Sequence, residues 1–508
     1  MKFAHILDLK LLLVVNAITS IDFTNAFRPA QIPPTGNSFP LTTTTRTTTC
    51  LYSSLDDASK GSGSLTRRQV GELAIAATGL GISVLGTREV DPTDYGLWGI
   101  VPVGTYKKKK TIRETIVPDQ IWTCDQKFGI LNVQVPLRMS IVRLSDNTLL
   151  IYDPIAATQE CLGYVQDIVD TYQAPVKHII VGSVALEHKA YAGVFAQKFP
   201  DAQVWLQPGQ YSYPANLPDS FLGFPPARTH VMPSSLDDPR VPEIWKKDLD
   251  IAVLGPIISR DGAFGETVVL HKVTKTLLVT DTCLQVTDEV PSIYDYDHAP
   301  LLYHARDTIT DVVQDTPETL KKGWKRVVLF GLFFMPSAIV IKDLNTALKE
   351  RRPDINSDFA GVYPWDWVGD EEASWKGLTG DGKPLVAPIL QVLLLNRSPV
   401  EVLDFADKVS KWDIKRIIPA HLKNNLAFTG DDYRKAFGFL TEQGVPPGFP
   451  KPLEADLQTL KDAEVNLIES GAIVPAPPKV GGAVSRADII SQTVYRCRQG
   501  VCAPRATP

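Results

Sequence analysis

Blocks of apolar and polar residues change period along this chain, and the changes mark its elements. Three β-like runs come first, Gly129–Pro136, Met139–Leu144 and Leu149–Tyr152, rich in branched and aromatic residues. Helix-period stretches then interleave with strands. Cys161–Tyr172 leads into Val176–Val181, and His188–Phe199 leads into Gln203–Gln207. Such alternation predicts a layered α/β arrangement with helices covering a sheet. The proline-rich stretch Pro214–Pro242 predicts a connection with no core of its own. Strands resume at Ile251–Leu254 and Thr267–Val273, and two more end in Asp281 and His421. Ser398 followed by Pro399 predicts the start of a helix over Pro399–Trp412, because the missing proline N–H costs nothing in a first turn.

From about Thr287 to Arg397 the pattern differs. Val327–Ile341 is apolar and uncharged, but shorter than the roughly 20 residues that span a bilayer. Pro336 interrupts it, so a buried helix or strand pair is expected. Tyr363, Trp365, Trp367 and Trp375 form an aromatic cluster that reads as core packing. His298 and His304 read as solvated loop residues. Beyond residue 450, an amphipathic helix over Leu453–Ser470 and a Pro/Gly-rich tail predict an arm over residues 450–508 that docks on the main domain.

Composition narrows the function classes. Hydrophobic residues make up 44% of the 508 residues and the net charge is −5, which suits a sizeable core and offers no basic field for nucleic acid. Cys124, Cys161 and Cys283 are isolated and read as buried thiols, whereas Cys497 and Cys502 could close a small disulfide loop. The N-terminal region reads as address. Residues 1–26 have the form of a secretory signal peptide, and residues 27–65, rich in Thr, Ser and Pro, that of a transit segment. The Ala26-Phe27 junction resembles the bipartite plastid signals of algae with complex red plastids. Arg67-Arg68 before the uncharged run Leu73–Leu85 resembles a twin-arginine thylakoid signal over residues 66–86; the other reading is an anchoring helix. The expected compartment is the plastid, with the thylakoid lumen favoured over the stroma and a mature chain from about Thr87. No clear transmembrane span is expected in that mature chain.

The stretch richest in chemistry is Ser183-Val184-Ala185-Leu186-Glu187-His188, between the strand Val176–Val181 and a helix. It resembles the His-x-His-x-Asp-His loop of the metallo-β-lactamase family, with the first two histidines absent, Glu187 in place of Asp, and His188 kept. Asp153, Asp281 and His421 each end an apolar strand, and their order is the family order. Asp261–Thr267, where the family carries another histidine, has none. The resemblance implies an αββα sandwich over residues 118–430 with residues 287–397 inserted. It implies that a first metal site is lost, and that Glu187, His188, Asp281 and His421 form a complete second one, oriented from behind by Asp153. Two imidazoles and two carboxylates suit one zinc or iron ion. More closely, Leu186–Lys189 and Lys198–Pro200 resemble signatures of an uncharacterised family of plastid and cyanobacterial proteins.

Taken singly, the same residues have plainer roles: Glu187 as a helix cap, Asp281 as a turn residue, His421 as a hydrogen-bonded core histidine. Two functions follow. One is a non-catalytic scaffold or atypical binding protein with a degenerate site and a plastid or thylakoid protein partner. The alternative is a mononuclear metal-dependent hydrolase of an ester, thioester or phosphoester, with Glu187 as fourth ligand or general base.

Overall fold

Two β-sheets face each other at the centre of the molecule, and the side-chain alternation of their strands explains why. The first sheet runs in simple order through β1 (Ile112–Val117), β2 (Ile121–Ile130), β3 (Val133–Arg143), β4 (Leu149–Tyr152), β5 (Val176–Val181), β6 (Gln203–Leu206) and β7 (Thr229–Val231). It is antiparallel as far as β4 and parallel from there to β7. The second sheet takes its strands in the order β13 (Arg416–Pro419), β10 (Thr276–Val279), β9 (Gly262–His271), β8 (Leu249–Ser259), with β10 and β13 parallel. This computed structural model describes residues 91–95, 108–130, 132–211, 218–260, 262–355, 361–481 and 487–489. All of them belong to one unit. The signal-peptide, transit and twin-arginine readings, and Cys497 with Cys502, lie outside the described residues.

Leu150, Tyr152, Ile180 and Trp205 of the first sheet pack against Ile251, Val269, Leu278 and Ile418 of the second. Their neighbours one residue away point outward, as a period of two requires. Leu149, Ile151, Ile179 and Val181 pack on α1 (Gln159–Tyr172) through Cys161, Val165 and Ile168. A short helix α2 (Leu186–Lys189) and α3 (Ala192–Gln197) follow β5. The outer face of the second sheet, including Leu270, Leu277, Val279 and Ile417, meets α4 (Pro317–Phe333), α5 (Pro399–Ser410) and α6 (Gly430–Ala436). Helix, sheet, sheet, helix is the expected sandwich. The buried central strands read as unbroken apolar runs because both of their faces are covered.

Several local expectations change. Gly129–Pro136 and Met139–Leu144 are not two strands: Val133–Arg143 is one strand, paired along nearly its whole length with β2, which carried no clear sequence signal. His188–Phe199 is broken at Ala190-Tyr191 into α2 and α3. The break places Gly193 hard against the Leu222 carbonyl, where a Cβ would come to 2.0 Å. Pro214–Pro242 does contribute to the core, through Phe224, Met232 and Val241, and pairs as β7. Ser398 precedes α5 as expected, but its side chain makes no capping bond.

Residues 287–397 share one core with the outer face of the second sheet. Val327–Ile341 divides into the buried end of α4 and the strand β11 (Ile339–Ile341), which pairs with β12 (Trp365–Trp367). His304 is not a solvated loop residue. It is fully buried and stacks on Trp365 at 5.6 Å, because the aromatic cluster closes around it. His298 stays at the surface, bonded to Asp315. The buried Arg326 guanidinium lies 4.3 Å over Trp367 and gathers the carbonyls of His304, Ala305 and Arg306. The C-terminal arm docks through Asp456, which accepts from Ser337 and Ser374. No described helix is long and apolar enough to cross a membrane.

The seam between the sheets sets stability. Leu278, fully buried in it, leaves a cavity when truncated, so Leu278→Ala is expected to cost about 2–5 kcal/mol. Urea denaturation followed by tryptophan fluorescence checks this; a loss under about 1 kcal/mol would show that the seam is loosely packed.

Candidate metal centre

The carboxyl ends of β4, β5, β10 and β13 open toward one edge of the sandwich, and four side chains meet there. Asp153 follows β4 with a φ of 52°, a left-handed backbone uncommon for a residue with a Cβ. Its carboxylate occupies that position productively. Oδ1 accepts from Gly182 N at 2.7 Å and Oδ2 from Thr280 Oγ1 at 2.8 Å, so it ties the ends of β5 and β10 together. Gly182 is a steric requirement, since a Cβ there would meet Tyr152 Oη at 2.4 Å. His188, on α2, is fully buried, and its Nδ1 lies 4.0 Å from Asp153 Oδ2 with no hydrogen-bond partner among the described residues.

Asp281 is aimed by a residue that sequence reasoning missed. Glu266, fully buried on β9, accepts from three successive amides, Thr280 N at 2.9 Å, Asp281 N at 3.0 Å and Thr282 N at 2.9 Å, and from Thr282 Oγ1 at 2.9 Å. It lies in the Asp261–Thr267 stretch noted for having no histidine. The signal was a lone acid beside the apolar run Val268–Leu270. Its partners were invisible without the fold.

His421 is aimed by two contacts. Its Nδ1 donates to Pro136 O at 2.9 Å, which leaves Nε2 unprotonated and facing the other ligands in the neutral ring. Buried Arg138 holds the loop on either side, donating to Pro419 O at 2.7 Å and Leu422 O at 3.0 Å while pairing with Asp125 through two nitrogens.

The distances that result are close to a coordination figure. His188 Nε2 lies 3.2 Å from His421 Nε2. Asp281 Oδ1 lies 3.4 Å from the first and 3.5 Å from the second. A tetrahedral zinc bound at about 2.0–2.2 Å sets its donor atoms about 3.3–3.6 Å apart, so these three atoms form one face of such a figure. With Glu187 included, the four donor atoms lie within 4.8 Å of one another. The structure thus brings together all four ligands expected from the sequence, with Asp153 behind His188. The side chains of Asp281 and His421 are 14% and 13% exposed while that of His188 is wholly buried, so solvent reaches one side of the face.

The electrostatics fit a cation. Burial pulls the His188 pKa down, but the charge of Asp281 and its hydrogen bond, with Asp153 and Glu187 beyond, hold it up at about 10. Burial and the neighbouring His188 push His421 down to about 4. Burial acts to raise Asp281, yet the two imidazoles and Ser183 hold it below the usual carboxylate range. Burial raises Glu187. Burial and the Asp281 charge push Glu266 up to about 8, against the amides it accepts from. The acids around the imidazole pair therefore call for positive charge between the rings, and a divalent ion answers that call more fully than one proton does.

Residues 118–439 match the family described as Domain of unknown function (DUF4336). The chain belongs to that family. No curated protein matches it. Among solved structures, the DUF4336 chain is similar to a metallo-beta-lactamase from Pontibacter korlensis at 10% identity and a TM-score of 0.31, over 65% of this chain and 99% of that one. It is also similar to the metal-soaked Flv1 flavodiiron core from Synechocystis sp. PCC6803, at 11% identity and a TM-score of 0.34, over 76% and 75%. A third is the mono-zinc form of the metallo-beta-lactamase FIM-1 from Pseudomonas aeruginosa, at 15% identity and a TM-score of 0.27, over 43% and 80%.

Glu266 supplies a direct test of how this DUF4336 site is built. Glu266→Gln sets an amide NH2 against main-chain donors, and is expected to lower both the thermal midpoint and the zinc affinity, the latter about 10–100-fold. Competition with a chromophoric chelator measures it. Unchanged affinity in a folded variant would show that Asp281 needs no such anchor.

Proposed function

We propose that this DUF4336 domain binds one transition-metal ion, zinc or iron, through His188, Asp281 and His421, and that it is a metal-dependent hydrolase. The observation that carries the reading is the 3.2–3.5 Å triangle of two Nε2 atoms and one carboxylate oxygen. An ion held there by His188, Asp281 and His421 would supply Lewis acidity and lower the pKa of water. His421 reaches the site with Nδ1 satisfied by a carbonyl, so Nε2 is the free lone pair. Asp281 contributes Oδ1 and balances charge. Glu187 lies on the same helical turn as His188 and widens the donor spread to 4.8 Å. This supports reading it as the base that would accept a proton from water, with three protein ligands leaving a coordination position open, as catalytic sites require. The substrate class is an ester, thioester or phosphoester. The sequence features of residues 1–86 support work in the plastid, on the lumenal side of the thylakoid.

The scaffold reading also has an observation behind it. Val340, Ile341 and Val368 are exposed apolar residues on and beside the β11–β12 pair, and a plastid protein partner would cover such side chains.

Metal analysis of the purified chain beside a His188→Ala/His421→Ala variant separates the two readings. About one equivalent of metal, lost in the variant, is the expected result. No metal in either protein, after exposure to zinc, iron(II) and manganese, leaves the scaffold reading. Glu187→Gln is expected to keep the metal while lowering turnover of an activated ester by about 10²–10⁴-fold, the range for loss of a general base. Loss of metal instead would make Glu187 a ligand.

A further inference from the structure

The two oxygens of Asp281 have different partners. Oδ1 faces the imidazoles of His188 and His421 at 3.4 and 3.5 Å. Oδ2 lies 3.2 Å from Ser183 Oγ. Ser183 is fully buried, and its hydroxyl oxygen accepts from Ala185 N at 3.1 Å. A hydroxyl has one proton to give. With an amide N–H already directed at the oxygen, that proton goes to the carboxylate.

Ser183 has little freedom to do otherwise. It forms a bridge with Glu266 on β9, while the preceding carbonyl, Gly182 O, accepts from Thr267 N at 2.7 Å. Its own carbonyl accepts from Gln210 Nε2 at 3.0 Å. Ser183 and Asp281 are thus both referenced to Glu266, one through its backbone and the other through its carboxylate. Ala185, two residues on, has only a methyl group and offers no donor atom.

We propose that Ser183 is a positioning residue that limits the centre to a single cation, by committing Asp281 Oδ2 to a hydrogen bond and turning Oδ1 toward the imidazoles. This rests on the metal-site reading above. The hydroxyl donor takes the lone pair of Oδ2 that faces Ser183, so a second ion bound on that side would have to displace the hydrogen bond. The hydrogen bond also sets the carboxylate plane, so that Oδ1 completes the ligand triangle without rearrangement.

The test uses the full chain, titrated with zinc and with cobalt(II). Native mass spectrometry reads stoichiometry, and the visible absorption of bound cobalt reads coordination. The wild-type chain is expected to bind one ion. Ser183→Ala is expected to weaken zinc binding about 10–100-fold and to change the cobalt spectrum, with an unchanged circular dichroism spectrum. Ser183→Thr, which keeps the hydroxyl, is expected to restore both. Two ions in the wild-type chain would overturn the proposal even if the variants fail to fold. So would a Ser183→Ala protein with wild-type affinity and spectrum, provided the one bound ion is still lost in His188→Ala; that result leaves the metal site standing. No ion in the wild-type chain, or binding that ignores His188→Ala, removes the metal-site reading and this proposal with it.

Discussion

The carboxylate of Glu266 accepting three consecutive main-chain amides is the contact on which the centre depends. A carboxylate buried in this way is costly unless donors surround it, and Glu266 has four, all from residues 280 to 282. The bonds convert the turn after β10 from a flexible connection into a rigid mount. Thr280, at the start of that mount, turns its hydroxyl to Asp153, which in turn receives the Gly182 amide. Three strand ends, from two sheets, are therefore locked by two buried acids, and a third acid is presented outward for use.

That arrangement stores electrostatic tension at one edge of an otherwise apolar seam. Behind and around the imidazole pair stand Asp153, Glu187, Glu266 and Asp281, with His188 held charged and His421 held neutral. Pairing an acid with a base is one way to settle such charges. Asp125 with Arg138 shows what that solution looks like only a short way off: two parallel bonds and a guanidinium that also secures the His421 loop. The centre itself is left short of positive charge.

The insertion follows a different logic. Its packing is aromatic, with Phe330 and Trp365 against His304 and with Trp367 and Tyr363 packed on those two rings, and Arg326 serves as its polar hub. It touches the metal edge indirectly, where Tyr294 donates to Gln134 O and Lys127 pairs with Asp297 on the β2–β3 hairpin. Pro136, on the same hairpin, orients His421.

The strands buried on both faces were legible in the chain alone, and resemblance to the metallo-β-lactamase family singled out Glu187, His188, Asp281 and His421 as candidate ligands with Asp153 behind them. The strands are a local signal, because an apolar run fixes a strand by burial alone, and Asp153, Asp281 and His421, within two residues of their strands' ends, are placed at the sheet edge by strand direction. One strand was read as two and two short helices as one, because period alone senses neither the pairing of β3 with β2 nor where Gly193 must touch another backbone. Glu266, Ser183 and Arg138 went unread for a related reason. An acid, a hydroxyl and a base have no role until their partners are known, and those partners lie from 13 to 284 positions away. That the four candidate ligands converge to within 4.8 Å of one another is a fact of the tertiary fold. Convergence depends on how two sheets twist and stack, and no local pattern in the chain records that geometry.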